Sequence, residues 1–391
     1  MPAMQTPFGH FELQRLPLRR RETLQAWDAA DEYLLQHHAA QRRGDVSPLL
    51  LNDNFGALAI NLARQQPVSW GDSATAHAAT AYNLKLNALS EKSVLCVPST
   101  QVPALQGVTD VLIRVPKNLA LFEQQLRQLR PLLAAQAQVT AAGMVKHLPH
   151  GAKPLMEQIL GPCQLSRAEK KARLIHCVAE QGGQHIEALP DRLCEVSEWD
   201  IQLSNQVNVF AHDKLDIGAR FFLEQFHHLP AAQRIVDLGC GSGVLGIAAQ
   251  KQQPHAAVTF IDESYMAVAS AKKNYQINIG DGDSVRFIAD HQLPACRGSA
   301  FKPTCRPEGR PTPTLPDLIL CNPPFHQGNT ISEHIARGMI QQSHQALAQG
   351  GELWLVFNRH LSYPSLLKRL FGGFETIAQN KKFIVTRAVK R

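Results

Sequence analysis

The chain has 391 residues, a formal net charge of +7 and a pI of about 9.0, a length that exceeds one ordinary domain and suits two, each able to bury its own core. With 44% hydrophobic and 19% charged residues, disorder and a coiled coil are excluded, and the basic balance admits a polyanionic partner without demanding one. The 8 cysteines form no CxxC pair and no His/Cys cluster at zinc-ligand spacing, so no metal is expected. Around Pro2, Gln5 and His10 there is no apolar core of the kind a signal peptide needs, and no run reaches about 18 apolar residues. The expectation is a reduced, cytoplasmic protein without a membrane segment.

In chain order, the first half opens with short charge runs, Arg19-Arg20-Arg21 and Arg42-Arg43. They read as solvated faces, with phosphate contact as the sharper alternative. Asp53-Asn54-Phe55-Gly56-Ala57-Leu58 follows. Then come Val68-Ser69-Trp70-Gly71-Asp72, a helical train with Ala76, Ala79, Asn83 and Asn87, the run Asp110 to Lys117, and Val145-Lys146-His147-Leu148. These segments gain their meaning from the second half.

There the strongest local signal is Ile235-Val236-Asp237-Leu238, a short apolar strand running into Gly239-Cys240-Gly241-Ser242-Gly243. Val244, Leu245, Ile247 and Ala248 then recur at helical spacing, so the order is strand, glycine loop, helix. Such a loop lets a ligand approach the backbone, although nucleotide and dinucleotide sites use it too. Val258 to Ile261 predicts a second strand with Asp262 and Glu263 at its carboxyl end, where an acid accepts hydrogen bonds from ribose hydroxyls. Asp262 also reads as a cap for a helix over Met266 to Tyr275. A third strand, Val285 to Ile288, delivers Asp290 to the same edge, suited to an adenine amino group.

The stretch from Ala295 to Pro316, Pro-rich and bearing Arg297, Lys302, Arg306 and Arg310, reads as a surface insertion, or as a basic arm touching phosphates. A buried parallel strand over Leu315 to Leu320, with the apolar run Leu318-Ile319-Leu320, then ends in Cys321-Asn322-Pro323-Pro324-Phe325. Alone, that segment is a rigid turn. Downstream of a cofactor loop it suits catalysis on a delocalised amine: the Asn322 oxygen and the Pro323 carbonyl accept its N–H groups and turn its lone pair outward. Pro324 stiffens the backbone and Phe325 offers a stacking face.

The Asp237, Gly239, Gly241 and Gly243 pattern, with Asp262 and Asp290, resembles the class I S-adenosylmethionine-dependent methyltransferases. The segment Val209 to Gly218 is similar to the one that those enzymes fold over the methionine end of the cofactor. The resemblance implies an α/β, Rossmann-like fold. It also implies S-adenosyl-L-methionine held by Phe210, Lys214, Asp237, Gly239, Cys240, Gly241, Gly243, Asp262, Glu263, Asp290 and Asn322, with Asn322, Pro323, Pro324 and Phe325 catalytic.

The first half echoes this pattern: Val68 to Asp72 matches Val258 to Asp262, Asn83 and Asn87 match Asn274 and Asn278, and Asp110 to Lys117 matches Asp317 to Pro324. Val145 to Leu148 matches Asn358 to Leu361. Asp53 to Leu58 lacks the triple glycine, and Val115 and Lys117 replace Asn322 and Pro324, so this copy is a degenerate one. Two tandem methyltransferase domains, 1–190 and 191–391, with only the second active, resemble the bacterial ribosomal RNA guanine-N2 methyltransferases. The resemblance favours the type acting on large-subunit RNA over the small-subunit type. It implies a ribosomal RNA partner, recognition or a structural role for the first domain, and a monomer. Methylation of a protein glutamine, and a non-catalytic RNA-binding assembly protein, stand as alternatives.

Overall fold

Short apolar runs separated by alanine-rich segments fold as strands and crossover helices, and they do so twice. The computed structural model describes residues 3–19, 22–41, 46–180, 183–282, 284–290, 292–293, 315–324 and 330–391, with side chains from 333 onward in the last stretch. Two compact units result, Met1–Pro190 and Asp191–Arg391.

The first unit begins with the hairpin β1 (Ala3–Thr6) and β2 (Gly9–Glu12). There follow α1 (Ala29–Ala40), β3 (Leu49–Leu51), α2 (Ala57–Asn61), β4 (Val68–Gly71), α3 (Ala74–Leu86), β5 (Leu95–Pro98), β6 (Val108–Arg114) and α4 (Leu119–Leu129). The unit ends with β7 (Leu133–Met144), α5 (Ala152–Ile159), β8 (Cys163–Leu165) and β9 (Ala172–Val178).

The second unit repeats that order. It has the hairpin β10 (Arg192–Val196) and β11 (Ile201–Asn205), then α6 (Ile217–Leu223), β12 (Arg234–Leu238), α7 (Val244–Gln252), β13 (Ala257–Asp262), α8 (Tyr265–Asn278) and β14 (Arg286–Ala289). After these come β15 (Leu318–Cys321), α9 (Thr330–Ala346), β16 (Glu352–Asn358), α10 (Tyr363–Phe371), β17 (Glu375–Gln379) and β18 (Phe383–Val389).

Each unit builds one seven-stranded sheet, ordered β5-β4-β3-β6-β7-β9-β8 in the first and β14-β13-β12-β15-β16-β18-β17 in the second. Five neighbouring strands are parallel, and β9 or β18 runs antiparallel between them and the edge strand, β8 or β17. Helices cover both faces of the second sheet: Phe222, Phe260 and Trp354 pack in one layer, Phe357, Tyr363 and Phe371 in the other. The strand order reverses between β12 and β15, the switch point at which open α/β sheets bind ligands.

Strand register aligns the two copies residue by residue. Leu51 pairs with Trp70 and Ile113, as Leu238 pairs with Ile261 and Cys321, and Asn52 N donates to Trp70 O as Gly239 N does to Ile261 O, one residue away from the match that the sequence suggested. The paired asparagines now have a physical reason. Asn278 accepts from Gln202 N at 2.8 Å and donates to its carbonyl at 2.7 Å; Asn87 does the same to Glu12 at 2.9 and 2.7 Å. One turn earlier, Asn274 accepts from Ser204 N and donates to Ser242 O, as Asn83 accepts from Gln14 N and donates to Phe55 O. In both units two amides, four residues apart on one helix face, clamp the hairpin and the first βα loop.

The helix expected over Met266 to Tyr275 is longer, because Ser264 rather than Asp262 caps α8, its hydroxyl accepting from Ala267 N at 3.1 Å. Gly246, inside α7, is forced by close packing: a Cβ there would lie 2.3 Å from the Phe260 ring. Gly246→Ala is therefore expected to lower the unfolding free energy by about 1–3 kcal/mol through overpacking, measured by denaturant titration. Unchanged stability would mean that α7 and β13 do not pack this closely.

Candidate active site

The loop after β12 is held open toward the carboxyl edge of the sheet by backbone bonds that only an unbranched chain of this shape makes. Gly239, Gly241 and Gly243 adopt φ of +73°, +53° and +81°, a region costly for other residues. Gly239 and Cys240 donate to Ile261 O at 2.8 and 3.0 Å, which folds the loop back over the end of β13. The Cys240 side chain lies in the core, so its backbone alone faces the edge.

Asp262 closes the next strand and accepts from Gly241 N at 2.9 Å and Ser264 N at 3.0 Å. Its carboxylate is thereby fixed beside the loop, and Glu263 next to it is exposed. Asp290 follows β14; its N–H donates to Asp262 O at 2.9 Å, and its carboxylate accepts from Gln292 N at 3.1 Å. Asp262 and Asp290 thus stand at the ends of adjacent strands. Asp237 differs from them: it is fully buried and accepts from Gly246 N at 2.9 Å, bracing the loop from behind.

The segment Val209 to Gly218 is tied to the same loop. Asn274, which donates to Ser242 O, also donates to Asn205 Oδ1 at 3.1 Å, and Asn205 donates to His212 O at 3.2 Å. Phe210 and Lys214 are exposed along it. The segment ends in Asp216, which caps α6 by accepting from Ala219 N at 3.0 Å.

The same Asp216 oxygen accepts from Asn322 Nδ2 at 3.1 Å. A carboxylate accepts only, so the NH₂ side of the Asn322 amide must face it and Oδ1 must face away. That Oδ1 is screened from solvent and meets no donor among the described residues. Pro323 is buried and Pro324 exposed. Phe325 lies outside the described residues, as do Arg20, Arg21, Arg42, Arg43, Arg297, Lys302, Arg306 and Arg310. Chemically, the arrangement offers an oriented, uncharged acceptor beside a loop shaped for a ligand.

In the first unit the same positions are filled. Asp53 accepts from Ala59 N at 2.8 Å as Asp237 does from Gly246, and Gly56, φ +80°, starts α2 as Gly243 starts α7. From Leu51 to Gly56 and from Leu238 to Gly243 the two loops are equally long, but Asn52 and Asn54 stand where the second unit has Gly239 and Gly241, so the first copy lacks the glycines that would let a ligand approach its backbone. Asp28, the cap of α1, holds Arg114 at 2.9 Å, and Asp31 holds it from the next turn. A buried ion cluster occupies the neighbourhood where the second unit leaves an amide oxygen open, and by register its Arg114, rather than Val115 as the sequence suggested, stands at the Asn322 position.

The structure adds Asp216, Asn205, Gly246 and the clamps Asn274 and Asn278 to the residues that shape the site. The recurrence of two asparagines four apart in both halves was the available signal for the clamps. For Asp216 there was none, since its partner lies 106 residues away.

Residues 1–181 match the family model described as the RLMG N-terminal domain, and residues 200–296 and 311–387 match the Methyltransferase small domain. Across 396 residues, and 100% of both chains, the sequence is 46% identical to a protein of Ectopseudomonas mendocina named Ribosomal RNA large subunit methyltransferase G. A protein of the same name from Stutzerimonas stutzeri is 44% identical, again over 100% of both chains. Among solved structures, the T. thermophilus 16S rRNA N2 methyltransferase in complex with AdoMet and guanosine aligns with 100% of this chain and 98% of its own. The TM-score is 0.75 at 19% identity, which establishes a shared fold.

Burial lifts the Asp237 carboxyl to about 8, with Asp262 adding to the shift and the Gly246 N–H opposing it. Between about pH 4 and about pH 8 the folded chain therefore keeps a proton that the unfolded chain has released, and this group's contribution to stability falls as pH rises through that window. Asp237→Asn keeps an acceptor for Gly246 but cannot titrate. Denaturant titrations at about pH 5 and about pH 7.5 are expected to show the wild type losing stability relative to the variant at the higher pH. Parallel behaviour would mean that Asp237 is charged in the fold.

Proposed function

Because the chain belongs to the family of ribosomal RNA large subunit methyltransferase G, we propose that it methylates the exocyclic N2 of one guanine in large-subunit ribosomal RNA, using S-adenosylmethionine. The observation that carries this reading is the Asn322 amide, turned by Asp216 so that an unpaired oxygen faces away from α6. The residues fit the cofactor: the backbone of Gly239 to Gly243 leaves room for its methionine end, Asp262 suits its ribose and Asp290 its adenine. Phe210 and Lys214 lie on the segment that the asparagine network ties to the loop. Asp237 and the buried Cys240 side chain support that cradle from behind.

When bound, S-adenosylmethionine supplies an electrophilic methyl carbon and leaves as a neutral thioether. The guanine N2 lone pair is delocalised into the ring, so the chain's task is to free it. Asn322 Oδ1 and the Pro323 carbonyl each accept an N–H from N2, which draws that nitrogen toward tetrahedral geometry and points its lone pair at the methyl carbon. As the N–C bond forms, N2 gains positive charge and one of its protons becomes acidic, leaving to water. Positioning suffices, and no metal ion is needed. In this reading the first unit, without the glycines of the loop, serves RNA recognition or a structural role, and the protein acts as a cytoplasmic monomer.

Asp262→Ala is expected to lose most cofactor affinity by calorimetry, since each charge-assisted hydrogen bond contributes about 1.5–3 kcal/mol. Asn322→Ala should bind cofactor within about twofold of wild type and yet lower single-turnover methylation of unmodified ribosomal RNA by about a hundredfold or more. A near wild-type rate in Asn322→Ala would reduce the Asn-Pro-Pro segment to a turn.

A further inference from the structure

Asn358 closes β16 and is only 4% exposed, yet its Oδ1 meets no donor among the described residues. Strand alternation puts it on the face that carries Trp354 and Val356, and it pairs with Phe383 of β18, which lies in the same layer. Leu318 and Leu320 of the adjoining β15 belong to that layer as well, together with Ala219 and Phe222 of α6. Asn322 continues β15 and reaches the cap of α6. Two amide oxygens without donors therefore stand at the carboxyl ends of neighbouring parallel strands, on one face of the sheet. A buried acceptor is ordinarily paired, and one left open needs a reason.

The degenerate copy supplies an internal control. Register between β3, β6 and β7 puts Arg114 at the Asn322 position and Met144 at the Asn358 position, and Val145 N donates to Lys171 O as Arg359 N does to Lys382 O. A residue needed to turn the chain out of the strand would have survived in both copies. The two amides were lost together, in the half that lost the glycines of the cofactor loop.

We propose that Asn358 is the residue that selects guanine, its Oδ1 accepting from N1–H and its Nδ2 donating to O6. The assignment rests on the proposed guanine-N2 chemistry. N1–H and O6 are adjacent on the base, and a primary amide presents the complementary acceptor and donor at matching separation. N2 adjoins N1 on the same edge, so a base held this way brings its amine to Asn322 and Pro323. Adenine reverses the pattern, offering an acceptor at N1 and a donor at the neighbouring amine, and pairs only with an amide turned end for end. A site built to pair with a polar edge discriminates strongly against analogues lacking it.

The test uses the full chain saturated with S-adenosylhomocysteine and three nucleosides, with binding followed by ligand-observed NMR. Guanosine has the whole edge, inosine keeps N1–H and O6 without the amine, and 2-aminopurine riboside keeps the amine without N1–H and O6. Asn358→Val removes both the acceptor and the donor of the amide. It is expected to weaken guanosine and inosine about tenfold or more while leaving 2-aminopurine riboside within about twofold. Asn358→Ser repeats the measurement should valine lower the melting temperature. Equal weakening of all three, or no change in any, would overturn the assignment, as would a wild-type chain that methylates ribosomal RNA but binds guanosine no better than 2-aminopurine riboside. A wild-type chain that transfers no methyl group to ribosomal RNA would instead sink the functional reading beneath it.

Discussion

The hydrogen bond from Asn322 Nδ2 to Asp216 sets the direction of the side chain on which the proposed chemistry turns. An amide can present either end, and only a partner that cannot donate forces the choice. Asp216 is itself immobilised as the cap of α6, and α6 is buried through Ala219, Phe222 and Leu223 against the sheet. Orientation of the Asn322 oxygen is thus inherited from the packing of a helix rather than from the loop that carries it. The glycine loop, the asparagine network and Asp262 all converge on the same edge, but they would hold a cofactor equally well beside a misdirected amide.

The internal duplication separates what the fold requires from what the chemistry requires. Both units keep the sheet order, the hairpin clamps, a glycine at the start of the first crossover helix and an acid bracing that helix from below. Both also use the cap of the preceding helix to reach the end of the fourth strand: Asp216 meets an amide, and Asp28 meets Arg114. The scaffold is the same contact with a different occupant. In the first unit an ion cluster closes the edge, and its arginine stands where the second unit has the open acceptor.

Much of this was legible because it is local. The strand, glycine loop and helix around Asp237 to Ala248 lie within a dozen residues, and the helical and alternating periods survive in both copies. The sequence could not show that Asp237 points inward, because the same acid serves as ligand or brace according to which side of the strand end it occupies. The hairpins were missed, since each is two short strands whose stability comes from asparagines some 75 residues away. Gly246 looked like any helical glycine until the Phe260 ring appeared beside it. Asn322 was found from its motif, but what orients it was set by a contact no spacing rule reaches.

The central claim, that an uncharged amide positions a guanine amine for methyl transfer, is tested most directly by mass mapping of large-subunit ribosomal RNA taken from cells lacking this protein, before and after incubation with the purified chain and S-adenosylmethionine. The account predicts that one guanine lacks a methyl group beforehand and carries it on N2 afterwards. A methyl group appearing on an adenine, on a ring nitrogen or on a ribosomal protein, or on no product at all, would contradict it.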